Sequence, residues 1–149
     1  MITELLQSSF IDLNFDVSDK ASAIDKLSEM LCGSGKVSDK SHFSNAVFER
    51  EKLGTTGIGS GIAIPHARTN TVNEVSIAFA RSTKGVDFNS IDGDPVNLFF
   101  VLAAPVESGS TYLKLLARIS RLLRYQDLID ELKTAKTKEE VISLIASRE

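Results

Sequence analysis

Between Val96 and Ala103 the chain reads Val-Asn-Leu-Phe-Phe-Val-Leu-Ala, apolar at every position but Asn97. A strand with one face in water alternates polar and apolar residues, and this run has no polar face to show. It therefore predicts a central strand covered on both sides. The longest uninterrupted apolar stretch, Leu98 to Val106, has nine residues. A helix that crosses a membrane needs ~20, so direct membrane insertion is not expected.

The rest of the chain supplies the cover. Ile2 to Leu6 reads as a short helical turn. Phe10 to Phe15 reads as a strand, with Ile11, Leu13 and Phe15 on one side. Ala21, Ile24, Leu27, Met30 and Leu31 recur at three- and four-residue spacing, which predicts an amphipathic helix capped by Ser18 and ended by Gly33-Ser34-Gly35. A second helix is expected from Ser38 to about Leu53, with Phe43, Ala46, Val47 and Arg50 on one face. Ile62 to Ile64 and Val75 to Arg81 read as strands, Lys84-Gly85 and Asp92-Gly93 as turns, and Val86 to Phe88 as a short strand. A third long helix, capped by Ser110 or Thr111, is expected to bury Leu113, Leu116, Ile119, Leu122 and Leu123. Leu128, Ile129 and Leu132 mark a short helix. Thr137 with Glu140 forms a capping box for the last one, which is expected to bury Val141, Ile142, Leu144 and Ile145. Strands interleaved with helices argue for an α/β fold, a three-layer α/β/α sandwich, as one domain over residues 1–149.

Composition narrows the function. With Lys plus Arg at 17 and Asp plus Glu at 20, the net charge is −3, and nothing in that balance points to nucleic acid. One cysteine, Cys32, excludes an internal disulfide, and a reducing, cytoplasmic setting is the default. Two histidines and that cysteine cannot supply a closed Cys/His zinc site. The N-terminus has no basic start and carries Glu4, which does not resemble a signal peptide. Chemistry is then sought at His66 or His42.

Four glycines crowd into Gly54-Thr55-Thr56-Gly57-Ile58-Gly59-Ser60-Gly61, and the strand after them ends at Pro65-His66. Such spacing signals close backbone approach or positive φ. It is not a Walker loop, because no Lys follows a glycine in the required register. It is not a dinucleotide fingerprint, because Ile62 and Ile64 stand where the third glycine belongs. With Arg50, Lys52, Thr55 and Thr56 upstream, the stretch holds cations, hydroxyls and amides near one nucleophilic nitrogen. That inventory suits a phosphoryl group. It also suits a tight connection ending in a surface histidine.

The segment Arg50-Glu51-Lys52-Leu53-Gly54-Thr55-Thr56-Gly57-Ile58-Gly59-Ser60-Gly61-Ile62-Ala63-Ile64-Pro65-His66-Ala67 resembles the active-site signature of enzyme IIA domains. These belong to the bacterial phosphoenolpyruvate-dependent phosphotransferase system, fructose/mannitol class, and the likeness is greatest to the free-standing nitrogen-regulatory members. It extends over nearly the whole chain. The resemblance implies an α/β/α sandwich around a mixed sheet. It implies that His66 accepts a phosphoryl group on Nε2 from a small histidine-containing phosphocarrier protein. Arg50 would face the phosphate, and Thr55, Thr56 and the amides around Gly57 and Gly59 would line the pocket. No cofactor or metal is implied. Tyr112 stands where the family usually has a second histidine; it can donate a hydrogen bond but carries no positive charge.

Three functions are thereby expected. The first is a phosphohistidine carrier whose phosphorylation state regulates partner proteins. The alternatives are a sugar-transport IIA subunit that passes phosphate to a IIB protein, and a regulatory binding module that is not phosphorylated. His42 reads as a surface helix residue, Cys32 as a small apolar one, and Asp87 and Asp92 as turn residues.

Overall fold

The computed structural model describes residues Met1–Glu149. In chain order the elements are α1 (Ile2–Leu5), β1 (Ile11–Asp12), α2 (Lys20–Gly33), α3 (Lys40–Lys52), β2 (Gly57–Gly59), β3 (Ile62–Ala63), β4 (His66–Arg68), β5 (Ser76–Val86), β6 (Val96–Ala104), α4 (Ser110–Leu122), α5 (Gln126–Thr134) and α6 (Lys138–Ala146). The apolar run becomes β6, the middle of a mixed sheet ordered β1-β5-β6-β3-β2. β5 pairs with it antiparallel, while β3 and β4 pair parallel along its other edge, one after the other. Every residue of β6 except Asn97 is buried, as a strand covered on both faces requires. Asn97 escapes by hydrogen bonding: its side-chain amide donates to the Ser82 carbonyl at 2.9 Å.

The helices fall into two groups. α2 and α3 pack on each other and reach β5 and β4; α1, α4, α5 and α6 pack together and reach β5 and β6. Between them Phe15 and Phe88 meet Phe99 edge-on, each with ring centroids 5.4 Å apart. Phe79 meets Phe100 in the same way at 5.1 Å.

Several local expectations are corrected. Asp19 and Asp39, not Ser18 and Ser38, cap α2 and α3, each accepting a backbone N–H from the residue three positions on. A carboxylate accepts more strongly than a hydroxyl and suits the positive helix end. The strand expected over Phe10 to Phe15 pairs only at Ile11 and Asp12; beyond them the Asp12 side chain turns the chain by accepting from Asn14 N–H. Lys84-Gly85 is no terminal turn: it lies inside β5, where the register with β6 shifts and Gly85 takes φ +85°. α4 buries Tyr112, Leu115, Ile119 and Leu122, leaving Leu113 exposed. At Thr137 half of the expected capping box forms: Glu140 N–H donates to Thr137 Oγ1, while the Glu140 carboxylate accepts from Lys136 N–H and not from Thr137.

Candidate functional site: a histidine between two arginines

Ile62-Ala63 and His66-Ala67-Arg68 pair with successive stretches of β6, and Ile64-Pro65 breaks the strand between them. The break puts the Ile64 carbonyl 2.8 Å from His66 Nδ1. A carbonyl only accepts, so the neutral ring carries its proton on Nδ1, and Nε2 keeps a free lone pair. Burial is the largest influence on this half-buried ring and pushes its pKa below the ordinary 6.5; the Ile64 bond and Glu51 oppose the shift, and the Arg50 charge adds to it. At neutral pH the imidazole is therefore uncharged.

Tyr112, in the first turn of α4, is the nearest aromatic neighbour, its ring centroid 6.0 Å from that of His66. Burial raises its pKa above 10.0 against the pull of Arg68 and Arg50, so the hydroxyl stays a donor. Arg50 sits in the last turn of α3 and donates to the Gly54 carbonyl at 2.8 Å. The Arg68 guanidinium lies over the Tyr112 ring, 5.2 Å from its centroid. Neither arginine has a carboxylate within ion-pair distance. Arg50 acts directly on an uncharged imidazole, Arg68 lies over the neighbouring Tyr112 ring, and neither cation is compensated, an arrangement that favours an anion.

The glycine-rich segment forms a β2–β3 hairpin. It is anchored by Glu51, a buried carboxylate whose Oε1 accepts from Thr56 N–H at 3.0 Å and meets Lys20 Nζ at 2.8 Å. Thr56 in turn holds the strand that leads to His66, its carbonyl accepting from Ile64 N–H at 3.0 Å. Thr55 Oγ1 donates to the Phe88 carbonyl and accepts from Gly57 N–H. Gly57 packs against Ser90: a Cβ there would lie 2.9 Å from Ser90 Cα. Gly59 pairs with Ile62 and faces Asp92. Because Ile62 and His66 pair with Leu98 and Leu102, Gly59 sits roughly 13 Å along the sheet from His66 at ~3.3 Å per residue.

Of the residues expected at the site, the fold gathers His66, Tyr112 and Arg50, with Thr56 one hydrogen bond away through Ile64. Thr55 and the Gly57 amide are engaged within the loop, and Gly59 is remote. The structure adds two neighbours of the site that the sequence does not single out. Arg68 is two residues beyond His66 on one strand and so shares its face, a signal that strand periodicity holds. Glu51 reads in the sequence as one more helix charge, and only its burial reveals it.

Residues 4–148 match the family model of the phosphoenolpyruvate-dependent sugar phosphotransferase system, EIIA 2. A fructose-specific EIIABC component of Bacillus subtilis is 40% identical over 97% of this chain, which spans 23% of that longer protein. A nitrogen regulatory protein of Bradyrhizobium diazoefficiens is 37% identical over 97% of this chain and 94% of its own length. Among solved structures, the nitrogen regulatory protein IIA-Ntr of Neisseria meningitidis superposes with a TM-score of 0.90 at 31% identity, covering 97% of this chain and 98% of that one. The mannitol IIA in complex with phosphorylated IIB from Escherichia coli gives 0.82 at 25% identity, over 97% and 100%. A match of this length, on a fold that half-buries a histidine beside Arg50 and Tyr112, leaves one conclusion: the chain belongs to the EIIA 2 family of the phosphotransferase system and is a phosphoryl carrier component of it.

Proposed function

We propose that His66 is the residue that carries the phosphoryl group, and that the donor is a phosphocarrier protein bearing a phosphohistidine of its own. The Nε2 lone pair of His66 attacks phosphorus in line. The phosphorus–nitrogen bond to the carrier breaks, and its electron pair returns to the carrier imidazole. Arg50 faces the developing charge on the transferred oxygens, and Tyr112 donates one hydrogen bond. The observation that supports this most is the bond from His66 Nδ1 to the Ile64 carbonyl. It fixes the tautomer that attacks through Nε2, and burial keeps that tautomer unprotonated.

Incubation with phosphoenolpyruvate, enzyme I and phosphocarrier should add one acid-labile phosphate, seen as a mass gain. His66→Ala should abolish it. A gain that survives the substitution would place the phosphate elsewhere; no gain in the wild type would leave a binding module.

The phosphate is used in regulation: the added charge, roughly −2 by analogy with other phosphorylated residues, makes or breaks docking to target proteins. Likeness along nearly the full length of a nitrogen regulatory protein supports this reading. The lone, unpaired Cys32 fits work in the reducing cytoplasm. A second reading, delivery to a IIB protein, is favoured by the fold shared with a IIA that was solved bound to phosphorylated IIB. Transfer of labelled phosphate onto a fructose IIB domain would favour delivery over regulation.

A further inference from the structure

We propose that Arg68 is a second phosphate-binding residue of this site and supplies the positive charge that Tyr112 lacks. The inference rests on the reading that His66 carries the phosphoryl group.

Three observations carry it. First, His66 and Arg68 bracket Ala67 in β4 and pair with Leu102 and Ala104 of β6. Residues two apart on a strand point to the same face, so the guanidinium leaves the sheet beside the imidazole. Second, that guanidinium is docked without being neutralised. It lies over the Tyr112 ring, and no carboxylate is within ion-pair distance. A stacked guanidinium keeps its edge N–H groups free for a planar or oxygen-rich anion. Third, the other cation is already partly engaged: one Arg50 N–H donates to the Gly54 carbonyl. A phosphoryl dianion on Nε2 enters a space bounded by a neutral phenol and one tethered arginine, so most of its charge calls for a second donor. Arg68 can meet it from its place on Tyr112, with the ring as a platform and the free N–H groups turned to the phosphoryl oxygens.

The test reads an equilibrium. Wild-type protein and Arg68→Gln are mixed with phosphorylated phosphocarrier, and the fraction phosphorylated is measured by mass at steady state. Loss of one charge-assisted hydrogen bond should shift the equilibrium toward the carrier by about tenfold. Arg68→Lys should recover much of that shift. The Arg68→Gln effect should persist in a Tyr112→Phe background, because the proposed contact is to the phosphoryl group itself. If the effect vanishes there, Arg68 acts only by holding the Tyr112 hydroxyl, and the proposal fails. An unchanged equilibrium in a folded Arg68→Gln that is still phosphorylated on His66 also overturns it, while leaving the site assignment standing. A wild type that takes no phosphate overturns both. Arg68 is exposed, so the variants should fold, which thermal melting checks.

Discussion

His66 has two properties suited to the proposed attack, and they have separate causes. The strand break at Ile64-Pro65 turns one carbonyl onto Nδ1 and so selects the tautomer. Burial under the start of α4 lowers the pKa and so selects the uncharged form. The lowered pKa is also a statement about stability. Below the ordinary value of 6.5 the unfolded chain takes up a proton that the folded site resists, so protonation favours unfolding. The melting temperature of the wild type relative to His66→Gln should therefore fall between pH 7 and pH 5. A difference that stays constant over that range would mean the imidazole titrates alike in both states. Only part of the site is legible in the sequence. His66 and Arg50 were legible because their motif is contiguous. Arg68 stands only two residues on, but a strand-end arginine has no meaning until an aromatic ring from α4 is seen beneath it.

At the scale of the element, the β2–β3 hairpin is a support more than a cradle. Its Gly57 N–H bonds to Thr55 Oγ1, Thr56 N–H to Glu51, and Ser60 N–H to Asp92. The glycines are there for close approach and for turning: Gly57 against Ser90, and Gly59 and Gly61 at φ +96° and +77°. Gly57→Ala pushes a methyl group onto Ser90 backbone and should destabilise the fold by about 1–3 kcal/mol, the usual cost of overpacking. Urea denaturation measures it; an unchanged midpoint would show that the loop can move aside. The helix α4 teaches a similar lesson. Its spacing permits either Leu113 or Tyr112 to face inward, since both head a three-and-four pattern. The sheet decides for Tyr112, Leu115 and Ile119, and thereby brings the phenol to His66.

For the whole molecule, the decisive fact is β6, buried on both faces and paired along both edges. It joins the two groups of helices and supplies the register that sets His66 opposite Leu102. Phe99, packed edge-on by Phe15 and Phe88, holds one face of that strand. Phe99→Ala should cost about 3–5 kcal/mol, read as a lowered denaturation midpoint, with phosphate acceptance retained wherever the protein remains folded. Loss below 1 kcal/mol would mean the core closes over the gap. The layered α/β architecture, the central strand and the histidine motif were determined by the sequence alone, because apolar periodicity and a contiguous signature are local properties. Which face α4 buried, the burial of Glu51 under the hairpin, and the gathering of Arg50, Arg68 and Tyr112 near one imidazole were decided only by tertiary structure. Those choices depend on burial and on groups that are far apart in the chain, and no local pattern encodes the distance between them.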